Sequence, residues 1–122
     1  MLKREDLRTT VATVTTADAN VGSAIPQNMR RFIYRIKATN LYNGPNLLTL
    51  GKRENGASST TVIDYIQMAT QYDVWPDPDE LKEDSAPLYI VEGKGATGDS
   101  YVRAQTNNGN AYLTIWYVDA PA

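Results

Sequence analysis

Histidine and cysteine, on which most nucleophilic and metal-dependent chemistry relies, are both absent from the 122-residue sequence. Their absence removes Ser-His-Asp and Cys-His arrangements together with every imidazole or thiolate metal site. What remains is carboxylate chemistry. A pair such as Asp64 and Glu92 has the groups a glycosidase uses as acid and base. Carboxylates on strand edges and turns are ordinarily solvated, so no catalytic pair is expected and the chain is read as a binding protein, not an enzyme.

Three further patterns have a functional reading beside a plainer one. Gly93-Lys94-Gly95-Ala96-Thr97-Gly98 carries the letters of a dinucleotide fingerprint. That fingerprint needs a helix whose N-terminus receives the pyrophosphate, whereas Tyr101 to Thr106 reads as a strand, and Asp99 stands where a P-loop needs lysine. A β-turn is expected. The acidic run Asp77-Pro78-Asp79-Glu80-Leu81-Lys82-Glu83-Asp84 offers hard oxygen ligands, but it lacks the spacing of a calcium loop and reads as a solvated surface loop. No cofactor or metal is therefore expected. Arg31, Arg35 and Lys37 alternate along one strand with Arg30 beside them. A net charge of −2 argues against a dedicated nucleic-acid binder. The row is read as a solvent-facing stripe that blunts edge pairing or contacts a neighbouring protein chain.

Aromatic residues suggest surfaces instead of chemistry. Two tryptophans and eight tyrosines are present. Trp116 and Tyr112 share a face of the last strand and are expected in the core. Trp75, beside Pro76 in a loop-like region, is the freer candidate for a partner contact or a sugar-stacking platform.

The elements that must position these side chains are short strands. Thr9 to Thr16 is a β-branched segment, and Met29 to Asn40 alternates Phe32, Tyr34, Ile36 and Ala38 with a polar face. Asn43-Gly44-Pro45 turns the chain into Asn46 to Lys52, and Thr60 to Met68 follows another turn. Gln71 to Ala86 reads as a long loop. Pro87 to Glu92, Tyr101 to Thr106 and Ala111 to Asp119 complete the set, the last two joined across Asn107-Asn108-Gly109-Asn110. The pattern predicts an all-β chain, a small jelly-roll-like β-sandwich of seven to eight antiparallel strands. Its core is expected to comprise Phe32, Tyr34, Ile36, Leu48, Leu50, Val62, Ile66, Leu88, Ile90, Val102, Leu113, Ile115 and Trp116. No apolar stretch approaches the roughly 20 residues needed to span a bilayer, and no export-signal pattern is seen, so no membrane partner is expected.

Residues 25–122 carry the sandwich pattern, and residues 1–24 are read as an N-terminal extended arm or as the first strand. Val11 and Val14 supply little apolar surface of their own, so an arm would borrow pairing from a sheet edge of a neighbouring chain. Candidate partner contacts are Arg4, Arg8, Val11 and Val14 in this segment, with Arg31, Arg35 and Trp75.

The segments 25–40, 46–50, 87–93 and 111–119 together resemble small jelly-roll virion proteins, with the nearest likeness to capsid decoration (cement) proteins of tailed viruses. The resemblance is one of rhythm and segment type, covering most of the chain beyond residue 25, and it transfers no signature side chain. It implies a virion structural protein on the outer capsid surface, partnered by the major capsid protein lattice and by itself as a homo-oligomer, most simply a trimer. The alternative is a carbohydrate- or receptor-binding β-sandwich module of a viral fibre or secreted protein.

Overall fold

The computed structural model describes residues 6–54, 57, 59–72, 74–75, 86–93 and 100–121, with Trp75 described by its backbone only. Nine strands are found among them: β1 Arg8–Val14, β2 Ala19–Asn20, β3 Met29–Asn40, β4 Asn46–Glu54, β5 Thr61–Met68, β6 Val74–Trp75, β7 Tyr89–Glu92, β8 Ser100–Thr106 and β9 Ala111–Pro121. No helix among the described residues is long and apolar enough to cross a membrane.

The strands form two antiparallel sheets. The first runs β1-β9-β3-β6 with β7 also on β3, and the second runs β2-β8-β4-β5. β6 pairs with Ala38 and Thr39, and β7 with residues 30–33, so the two occupy a single sheet position in succession along β3. Counting them as one position gives eight positions, ordered 1-8-3-6 in one layer and 2-7-4-5 in the other. That order is the double Greek key of a jelly roll. The eight positions agree with the seven to eight strands expected, and the two-residue pairings β2 and β6 lie inside segments whose composition is that of loops.

Residues 8–14 pair with β9 along their whole length, from Arg8 opposite Tyr117 to Val14 opposite Ala111. They form the edge strand of the first sheet within the chain itself. Val14 is buried, while Val11 on the opposite face of the strand is exposed.

The core lies between the sheets. Ile36, Leu48, Leu50, Ile66, Val102, Leu113 and Ile115 are buried there as expected. The other expected core positions are not. A bulge between Ile33 and Arg35 makes Tyr34 an extra residue against β9, and the inward set changes phase across it. Arg31 and Ile33 point inward before the bulge, Ile36 and Ala38 after it, so Phe32 and Tyr34 are only partly buried. A second irregularity, between Leu50 and Gly51 of β4, takes Ile63 out of register and leaves Val62 exposed. On β7, Val91 is buried and Ile90 faces out, and Leu88 before it is exposed. Trp116 is partly buried and Tyr112 exposed, both on the outward side of β9, while Tyr117 takes the inward place.

One end of the sandwich is closed by two buried asparagines. Asn46 donates through Nδ2 to Asn40 Oδ1 (3.1 Å) and to the Gly109 carbonyl (2.9 Å), and its Oδ1 accepts from the N–H groups of Asn108 and Gly109. Asn40 in turn donates to the carbonyls of Gly44 and Thr70, each at 2.9 Å. Three loops are thereby tied together by side chains whose buried polar groups are all partnered. Tyr42 lies against Gly109, where a Cβ would collide with its ring, so the turn that carries the chain from β8 in one sheet to β9 in the other needs glycine at this position.

Candidate functional site

Three polar constellations and one open face stand out, and they lie on different parts of the sandwich. The first constellation surrounds Arg31. Its neighbours on the sheet are Val91 of β7 and Asp119 of β9, all on the inward side. The guanidinium is 1% exposed and grips Asp119 through two bonds, Nε to Oδ1 at 2.8 Å and NH2 to Oδ2 at 2.9 Å. It also donates to the Ser23 carbonyl at 3.0 Å and stacks on the Tyr117 ring at 4.2 Å. Arg31 is thus an internal fastener between β3, β9 and the loop before β3. It does not belong to a solvent-facing stripe and is not available to a partner. Val14, buried in the core, is not available either.

The second is a bridge between the two sheets. The Tyr89 hydroxyl of β7 donates to Asp64 Oδ2 of β5 at 2.6 Å, and the Asp64 carboxylate also accepts the Tyr65 N–H. Glu92, the other carboxylate considered for acid–base work, is instead paired with Arg30 at 3.4 Å. The two carboxylates therefore have separate partners, and Asp64 serves as a strut. Burial first, and then the hydrogen bond and negative charge of Asp64, push the Tyr89 phenol well above the usual tyrosine range.

That shift has a sign. In the unfolded chain the phenol titrates near about 10, so above that pH the folded state holds the proton that the unfolded state loses. The contribution is complete below about pH 10 and fades as pH rises further. Tyr89→Phe should cost about 1.5 kcal/mol at neutral pH. Between neutral pH and about pH 11 the wild type should lose stability more steeply than the variant. Urea unfolding across that range checks this, and parallel curves would refute the strut.

The third constellation is polar and lies on the outside of the second sheet, where Asp18 meets Thr60 and Arg103.

The open face is the outer side of the first sheet. Directly paired residues across β1, β9 and β3 place Thr9, Trp116 and Arg35 in one row, Val11, Thr114 and Lys37 in the next, and Thr13, Tyr112 and Thr39 in a third. A fourth row runs from Val118 through Phe32 to Ile90 of β7. Val11 is 53% exposed and Ile90 52%, and Tyr112, Val74 and Leu88 are also exposed. Arg35 lies over the Trp116 ring at 4.7 Å, and its buried Nε has no hydrogen-bond partner. Neither Arg35 nor Lys37 forms an ion pair among the described residues. The result is a face that sets apolar and aromatic side chains among threonines and carries two cations with no ion-pair partner among the described residues.

Of the partner contacts expected from sequence, Val11 and Arg35 come together on this face. Arg8 is exposed at the end of β1, beside Asp6, Val118 and Asp119 around an open hollow of about 370 Å³. Trp75 pairs through its backbone with Ala38, and its side chain lies outside the described structure. Arg4 and the acidic run 77–84 lie outside the described residues, as do residues 94–98 of the glycine motif. Gly93 is described, and a Cβ there would collide with the Pro26 carbonyl, so close backbone approach accounts for this glycine. Ile90, Leu88, Tyr112 and Trp116, core positions by their sequence pattern, are exposed or only partly buried. Their alternation with apolar neighbours is the one signal that marks strands with two apolar faces.

No protein-family model matches the chain, and comparison with curated proteins and with solved structures finds no match. Among the described residues no group of three or more Asp or Glu side chains is placed to hold a metal ion.

Proposed function

We propose that this chain is a structural binding subunit that docks through the outer face of its first sheet, in the manner of a decoration protein on the outer surface of a virus shell. The observation that carries the reading is the open face itself. Val11, Tyr112, Ile90 and Leu88 are exposed together around Trp116 and Phe32, an arrangement that costs solubility unless another surface covers it. Aromatic residues and arginine are the types that concentrate at protein interfaces. Arg35 and Lys37, which have no ion-pair partner among the described residues, favour a partner that is apolar with acidic groups at its rim. Viral capsid proteins are among the users of the jelly-roll order, which agrees with the reading by analogy only. The major capsid lattice is the proposed partner, with self-association, as a trimer, completing the assembly.

The test is sedimentation of the protein with and without purified capsids, for the wild type and for Val11→Asp and Ile90→Asp. Both substituted side chains are exposed, so stability should change by no more than about 0.5 kcal/mol. Wild-type protein should co-sediment with capsids as an oligomer, and each variant should lose most of that binding. A monomeric wild type that ignores capsids, or variants that bind as well as wild type, would overturn the proposal.

A further inference from the structure

We infer that the outer face of the second sheet carries a separate saccharide-binding pocket, lined by Asp18, Thr49, Thr60, Val62 and Gln105 with Tyr65 beside Thr49 on the neighbouring strand, that accepts a neutral hexose unit. The inference is independent of docking through the first sheet.

The pocket arises from the way loops close over the middle of this sheet. Gln105 of β8, Thr49 of β4 and Tyr65 of β5 are directly paired neighbours and form one outward row. The next row holds Arg103, Gly51 and Val62. Gly51 has no side chain, and Thr60 occupies the space a Cβ would take. From the other side, Asp18 reaches across from the loop before β2, and Thr60 Oγ1 donates to its Oδ2 at 2.5 Å. This bridge walls a concavity of about 260 Å³ whose lining also includes Thr49, Val62 and Gln105. The volume is below the range of about 300–1,000 Å³ for drug-sized ligands and suits a single sugar ring.

The chemistry of the lining selects the ligand class. Arg103 donates to Asn20 Oδ1 at 2.6 Å and lies 3.5 Å from Asp18 Oδ2, so the one carboxylate already has its counter-charge. A cation gains little from such a site, and an anion is opposed by the carboxylate. Asp18 Oδ1, the Gln105 amide and the Thr49 hydroxyl have no side-chain hydrogen bond among the described residues. Together they offer both acceptors and donors to sugar hydroxyls. Tyr65 is 59% exposed and Val62 is also exposed. An aromatic ring beside fixed polar groups is suited to the apolar face of a pyranose, with the hydroxyl edge turned into the pocket.

The experiment is a titration of ¹⁵N-labelled full-length protein with maltotriose, cellotriose and mannotriose, followed by amide chemical shifts. At least one probe should give saturable shifts centred on Asp18, Thr49, Val62, Tyr65 and Gln105, with a Kd on the order of 1 mM or tighter. Tyr65→Ala and Gln105→Ala should each weaken that binding by about tenfold or more while unfolding at the wild-type temperature. Val11→Asp, on the opposite face, should leave it unchanged. No saturable shift with any probe up to on the order of 10 mM, shifts centred elsewhere, or binding indifferent to both pocket substitutions would overturn the inference.

Discussion

Asp119→Ala should lower the free energy of unfolding by about 3 kcal/mol, a large part of the roughly 5–15 kcal/mol available to a domain. The substitution leaves the Arg31 guanidinium buried without its carboxylate. Breaking a buried pair by removing one partner is costly because the remaining charge stays desolvated. The Ser23 carbonyl and the Tyr117 ring remain to Arg31, and Asp119 keeps some contact with water, which places the cost toward the lower end of the range for such pairs. Urea unfolding should show a reduced midpoint at unchanged slope. The double variant Arg31→Met with Asp119→Ala should recover much of the loss, because it removes the stranded charge along with its partner. If Asp119→Ala is neutral, or if the double variant is worse than the single, Arg31 is not fastened as described.

Removing residues 1–14 should lower the unfolding temperature by on the order of 20 °C. The deletion takes away all of β1 and so strips β9 of hydrogen-bonding partners from Ala111 to Tyr117. It also opens the core where Val14 was buried and converts β9 into an unprotected edge bearing Tyr112 and Trp116. The truncated protein should therefore be both less stable and prone to associate. Calorimetry of the two proteins decides the matter. A truncated chain that melts with the wild type would show that residues 8–14 act in a neighbouring subunit, as an arm.

The strand at residues 29–40 was legible in the sequence to its last residue, yet half of its inward face was not. Alternation fixes which residues share a side only while the register is unbroken, and a bulge at Tyr34 inserts one residue without any glycine to announce it. The same cause hid Val62, one residue from the irregularity of β5. The burial of Arg31 is hidden in the sequence for another reason. An arginine in a strand is ordinarily solvated, and the Asp119 that makes its burial affordable is 88 residues away. β6 lay in a segment whose prolines and acidic residues indicate loop, and only the pair Val74-Trp75 hints at strand. The open face was half visible. Val11 and Arg35 stand out within their own segments, but Tyr112, Trp116 and Ile90 read as core because nothing local tells which apolar side of a strand is covered. The pocket on the second sheet had no sequence signal, since Asp18, Thr49, Thr60 and Gln105 are common surface residues brought together by topology.

The order of strands also sets how the chain reaches this structure. Among the described residues β4 and β5 are the one pair of consecutive strands that bond to each other; each other consecutive pair is separated between the layers or shares β3 end to end. A turn of a few residues thus nucleates only one hairpin, and every other ladder waits for distant segments to meet, β1 with β9 most of all. Loops must close before their contacts reward closure, so folding belongs on the slow scale of milliseconds to seconds typical of all-β sandwiches. During synthesis the first sheet stays incomplete until β9 has emerged, and its partner strands spend that interval with their ladders unformed. Changes that weaken the β4–β5 hairpin should then act mainly by slowing refolding, and changes at the late β1–β9 ladder mainly by speeding unfolding.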